Sequence, residues 1–112
     1  MVIAWHHKPG GLCHFALMPS IGVLILELRL GEAHSLKDKR HYVKSLKDRL
    51  RSKFNVSVAE IDYQDLWQRG LVAVATVSGD QSHAEQVLQN VERDAALLLG
   101  PLLVGASTEW LS

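Results

Sequence analysis

The hydrophobic positions of this chain follow two rhythms, one of two residues and one of three to four. In IGVLILELRL (21–30), Leu24, Leu26, Leu28 and Leu30 recur at every second residue, while Val23, Ile25, Glu27 and Arg29 occupy the other face. A strand that is apolar on one whole face and half of the other belongs in the middle of a sheet. After a short connection the rhythm changes. At about 100° per residue, Leu36, Val43, Leu46, Leu50 and Phe54 fall in one apolar sector, which predicts a helix over 35–54 packed by that face on a sheet. Ser35 supplies an N-cap hydroxyl, and Asp38 is placed to return the bond in a variant of the capping box.

The segment VSVAEID (56–62) returns to a period of two and is more polar than the first strand, as an edge strand would be. YQDLWQRG (63–70) reads as a loop or hairpin connection with Trp67 between Asp65 and Arg69. LVAVATVS (71–78) is apolar on both faces and predicts a second central strand, ended by Gly79. The next helix is capped by Asp80, or by Ser82 with Glu85 reaching back. Its apolar residues Ala84, Val87, Leu88, Val91, Ala95, Leu98 and Leu99 recur at helical spacing, and Gly100 and Pro101 stop it. LLVGASTEWL (102–111) is the last strand, with Gly105 a candidate bulge.

The order β, α, β, β, α, β, drawn as two right-handed βαβ units, predicts an α+β ferredoxin-like fold. Its four-stranded antiparallel sheet carries both helices on one face. A chain of 112 residues fits one domain, over 21–112. Residues 1–20 show neither rhythm and are expected to be a poorly ordered extension; with Met18 just ahead of the first strand, they read as a leader or a consequence of start-site choice.

Composition narrows the class. With 47% hydrophobic and 21% charged residues the usage is that of a globular protein, and no apolar run approaches the roughly 18 residues of a membrane span. The first residues lack the pattern of a secretory signal. A lone cysteine, Cys13, cannot form an internal disulfide, which points to the cytoplasm. His6, His7, Cys13 and His14 offer donors to a soft divalent metal but match no zinc spacing, so no metal or cofactor is expected.

A formal net charge of zero conceals an asymmetry. Lys37, Lys39, Arg40, Lys44, Lys47, Arg49, Arg51 and Lys53 are eight of the twelve Lys and Arg residues, set against only Asp38 and Asp48, so 35–54 carries +6 and the rest −6. Lys37, Arg40, Lys44, Lys47 and Arg51, spaced by three and four, form a stripe along the helix flank. Lys37, Lys39 and Arg40 also crowd the helix N-terminus, where cations oppose the macrodipole by a few tenths of a kcal/mol each; with Ser35 and the free NH groups they would make a phosphate site.

SLKDKR (35–40), FNVSVAEIDYQDLWQRG (54–70) and GVLILELRL (22–30) resemble, in order and spacing, the YlxP-like family, the bacterial domain of unknown function numbered 503. The resemblance covers about 20–112. It implies a small cytoplasmic bacterial protein with the ferredoxin-like fold, often encoded near genes for translation initiation and ribosome maturation. The family brings no catalytic residues to carry over, and the segment before Met18 is outside its pattern.

Two functional expectations follow. The first is RNA binding, with the ribosome as partner, by Ser35, Lys37, Lys39, Arg40, Lys44, Lys47 and Arg51, joined by Arg69 and the Trp67 loop; no DNA partner is expected. Stacking of bases on the open sheet is not expected. In a comparison with the RNP1 pattern, Arg69, Gly70 and Val74 fit, but Leu71, Ala73 and Thr76 stand at the aromatic positions. The second expectation is a homodimeric interaction or small-ligand module, in which Val23, Ile25 and the outward residues of 71–78 form an apolar face. Catalysis is not expected, because Asp62, Asp65, His34 and His41 have no nucleophile, metal spacing or phosphate-binding glycine loop beside them. Asp62 and Asp65 read as turn residues or partners of Arg69, Trp67 as a packing anchor, and the two histidines as polar surface.

Overall fold

Alternation along strand β1 (Ser20–Arg29) decides which side of the sheet is covered. Leu24, Leu26 and Leu28 are fully buried, while Val23 and Ile25 on the opposite face keep partial exposure. The computed structural model describes residues 18–111. Within them the order continues with α1 (Leu36–Lys53), β2 (Ser57–Asp62), β3 (Arg69–Ser78), α2 (Gln81–Leu99), a single 3-10 turn at Gly100–Leu102, and β4 (Leu103–Trp110). The expected extension, with His6, His7, Cys13 and His14, lies outside the described residues apart from its last three positions, of which Ser20 already opens β1.

The strands form one antiparallel sheet in the order β2-β3-β1-β4, with both helices on the face of the buried leucines. This is the ferredoxin-like architecture that the periodicities predict. The apolar strands β1 and β3 are central and the polar β2 lies at an edge. Helix α1 packs over the β2 side, and α2 over β1, β3 and β4. Gly22 admits that packing, since a Cβ there would stand 2.8 Å from both Leu88 and Trp110. Among the described residues no helix is long and apolar enough to cross a membrane.

Local chemistry sets the ends of the elements. Ser35 is the N-cap of α1, its Oγ accepting from the Asp38 amide at 3.1 Å. The Asp38 carboxylate accepts from the His34 amide at 2.9 Å, so the reciprocal bond falls one residue earlier than the capping box places it. Asp80 rather than Ser82 caps α2, accepting from the Ser82 amide at 3.0 Å. Gly100 ends the helix at φ 57, in the left-handed region that favours glycine. Between β1 and β4 the register steps from Glu27↔Gly105 to Leu28↔Leu103, which leaves Val104 as the extra residue of a bulge beside Gly105.

One polar clasp joins the helices. The buried carboxylate of Asp94 on α2 accepts from Arg49 Nε at 3.0 Å and from Lys53 Nζ at 2.8 Å, both on α1. Hydrogen bonds from Arg49 and then Lys53 hold its carboxyl below the usual carboxylate range. A carboxyl with a depressed folded value contributes stability above its unfolded pKa and loses it as the pH falls through the folded one. Asp94→Asn is therefore expected to lower stability at neutral pH by about 1.5 kcal/mol, since charge-assisted bonds are lost to partners that are themselves half exposed. The variant should also unfold with a shallower dependence on pH below about 4. Urea denaturation across an acid series checks both, and a variant whose acid limb matches that of the wild type would sink the assignment.

Candidate nucleic-acid interface

The eight cations of α1 point in three directions. Counted from Leu36 at about 100° per residue, the buried apolar residues Val43, Leu50 and Leu46 lie about 20°, 40° and 80° to one side. Lys39 falls at about 60° on that same side, in the middle of the apolar sector. It is 1% exposed. Its ammonium lies 2.6 Å from Glu60 Oε2, donates to the Leu66 carbonyl at 2.7 Å, and donates to the Tyr63 carbonyl. The ion pair with Lys39 compensates the buried Oε2 of Glu60, which has no hydrogen-bond partner of good geometry among the described residues. Lys39 is thus not a surface phosphate ligand: its ammonium is spent inside the fold on two carbonyls and on the Glu60 charge, which tie α1 to β2 and to the following loop.

That loop is built around the clamp. Tyr63 takes φ 61, its amide donating to Asp62 Oδ1 at 2.7 Å, and the Leu66 amide closes a turn onto the Tyr63 carbonyl at 3.0 Å. Asp62 is therefore a turn residue, as its type suggests. Arg69 does not stand free either. Its guanidinium lies over the Tyr63 ring at 4.2 Å, donates to the Tyr63 hydroxyl at 3.1 Å, and pairs with Glu27 at 3.3 Å. Its expected acidic partner, Asp62 or Asp65, is replaced by a carboxylate on β1. The loop leaves Leu66 and Trp67 nearly half exposed, so Trp67 does not anchor the core.

Arg49 and Lys53 turn toward Asp94, on the flank facing α2. The opposite flank carries the predicted stripe, Lys37, Arg40, Lys44, Lys47 and Arg51, and all of it but Lys37 lines a groove with Val43, Asp48 and Glu60, the last from edge strand β2. Arg51 Nη2 donates to the Val58 carbonyl at 2.9 Å and so covers an outward backbone group of that edge. Lys44 pairs with Asp48 at 2.6 Å, both well exposed, and its hydrogen bond holds the Asp48 carboxyl below the usual range. Lys37, Arg40 and Lys47 have no ion-pair or hydrogen-bond partner among the described residues. At the N-terminus of α1, Ser35 Oγ already accepts from Asp38, and the anion beside the first turn is Asp38 itself. Val23 and Ile25 lie on the uncovered sheet face, away from this groove.

A family model described as "Protein of unknown function (DUF503)" matches residues 21–97. This protein belongs to the DUF503 family. The chain is also 44% identical, over 71 residues, to "Uncharacterized protein YlxP" of Bacillus subtilis (strain 168), a match that covers 63% of this chain and 77% of that one. Among solved structures it is similar to the de novo designed protein Foldit4, with a TM-score of 0.52, 11% identity, and coverage of 85% of this chain and 98% of that one. A designed protein with ferredoxin fold, LFR1 1, gives a TM-score of 0.49 at 12% identity, covering 83% of each chain.

In this DUF503 chain the residue that sequence reasoning misplaced carried a signal. Leu36, Lys39, Val43, Leu46 and Leu50 step by three and four, so a lysine occupies one position of an otherwise apolar stripe. No group of three or more His, Cys, Asp or Glu able to hold a metal occurs among the described residues. Replacing Lys39 by Met is expected to destabilise the domain by about 3 kcal/mol, because it strands a buried carboxylate and two carbonyls. Adding Glu60→Leu should recover part of the loss. Chemical denaturation of the single and double variants checks this, and a Lys39→Met protein as stable as the wild type would overturn the clamp.

Proposed function

We propose that this DUF503 protein is a non-catalytic RNA-binding protein that associates with the ribosome through the outer flank of α1. The observation that carries the reading is the row Lys37, Arg40 and Lys47, three cations on one helix flank with no internal partner, extended by Lys44, whose only tie is to an exposed aspartate. Unpaired cations at fixed helical spacing keep their full attraction for phosphates, and releasing counterions makes such binding salt-dependent.

A second reading, compatible with the first, is homodimerisation through the open sheet face. Both helices lie on the other side, which leaves Val23, Ile25, Ala73 and Ala75 uncovered at the centre and Val77 61% exposed. The face measures roughly 20 by 25 Å, on the scale of 500 Å² per copy, near the lower limit for a stable interface. Its Glu27 and Arg69 pair with each other, while Glu109, opposite Val23 on β4, and Arg29, two residues beyond Glu27 on β1, leave charge at the margins of the face. Cytoplasmic residence accords with both readings.

Two experiments test these proposals. Wild-type protein titrated into a labelled fragment of ribosomal RNA should lose affinity on the order of 20-fold between roughly 50 and 200 mM salt, the drop for about three neutralised phosphates. The triple charge reversal Lys37→Glu, Arg40→Glu, Lys47→Glu should abolish binding while leaving the melting curve nearly in place, because none of the three makes a hydrogen bond or ion pair among the described residues; unchanged binding would end the α1 model. Separately, light scattering should find a dimer in the wild type and a monomer in Ile25→Lys, and a wild-type monomer would dispose of the second reading.

A further inference from the structure

We infer that the RNA segment held by this surface is unpaired, its phosphates lying along the α1 row and one base stacking on the indole of Trp67. The inference rests on the RNA reading above. Its first support is that the cations form a single line. From Arg40 to Arg51 they run over about 16 Å of helix, and the facing wall, strand β2, offers Glu60 and no Lys or Arg. Gripping an A-form duplex calls for contacts to phosphates of both strands across a groove. The cations that could have made a second line, Arg49 and Lys53, are turned to Asp94. One line of charge matches one line of phosphates.

The second support is the position of Trp67. Lys39 immediately precedes Arg40, the first cation of the groove, and its ammonium takes the carbonyl of Leu66. The same ammonium pairs with Glu60, which lines the groove, so the backbone that carries Trp67 is held one ammonium away from a groove residue.

The third support is the state of that indole. It is 45% exposed and makes no hydrogen bond or ring contact among the described residues, yet it rides on a loop held from three sides. Lys39 clamps two of the loop's carbonyls, the Tyr63 turn closes on itself, and Arg69 stacks under Tyr63. A large apolar ring left open on an immobilised loop is a stacking platform whose ordering cost is already met before a ligand arrives. Every base has a π face, so such a platform tolerates any sequence.

The test compares a labelled single-stranded RNA of roughly eight nucleotides with a hairpin duplex of equal charge, each titrated with the full chain and read by fluorescence anisotropy. The single strand is expected to bind more tightly. Trp67→Ala should weaken single-strand binding roughly tenfold, leave duplex affinity and the salt slope unchanged, and melt as the wild type does; Trp67→Phe should restore most of the loss. Equal affinity for the two RNAs, or a Trp67→Ala variant that binds the single strand like the wild type or loses both RNAs alike, would overturn the inference while the RNA reading stands. A wild type that binds neither RNA, or a charge-reversed α1 that binds both unchanged, overturns the RNA reading and this inference with it.

Discussion

One-sided coverage of the sheet is the constraint on which the rest of this molecule depends. Two crossovers place α1 and α2 on the same face, and the leucines of β1 at alternate positions are what that face buries. With sixteen apolar residues buried among the described ones, the core lies almost wholly in that single layer between helices and sheet. Because α2 spans β1, β3 and β4, α1 is left over the β2 edge. The helix that carries the charge is therefore the one whose outer flank borders an edge strand.

That position sorts the charge of α1 by direction. The side facing α2 spends Arg49 and Lys53 on Asp94, a carboxylate that would be costly to bury alone. The side facing the core spends Lys39 on Glu60 and on two carbonyls of the β2–β3 connection, so a residue that looks like surface charge is a structural strut. Arg51 covers the edge of β2. What remains for solvent is a shorter row, Lys37, Arg40, Lys44 and Lys47, and its significance lies in being the residue after internal demands are met. A +6 helix is thus far less cationic at its surface than its sequence implies.

The connection between β2 and β3 shows how a strained turn is held. Tyr63 occupies a backbone region that an aromatic residue seldom adopts, at a cost of order 1 kcal/mol. The bond from its amide to Asp62, the ammonium on its carbonyl and the guanidinium across its ring all favour that conformation. The outcome is a fixed loop that displays Leu66 and Trp67 rather than burying them.

Most of the fold was legible in the sequence because it follows from local rules. Alternation separated central β1 and β3 from edge β2, the three-to-four spacing marked both helices, and Ser35, Asp80 and Gly100 announced where the helices begin and end. The site was only half legible. The stripe of five cations could be drawn from helical geometry alone, but which of them are free could not, because each partner lies far along the chain: Asp94 is 45 residues from Arg49, Leu66 is 27 from Lys39, and Glu27 is 42 from Arg69. Sequence by itself determined the elements, their order and the concentration of charge, since these arise from periodicity and capping within a few residues. Tertiary structure alone decided which charges are consumed, because burial sets the cost of an unpaired charge and only the packed chain brings its partner within reach.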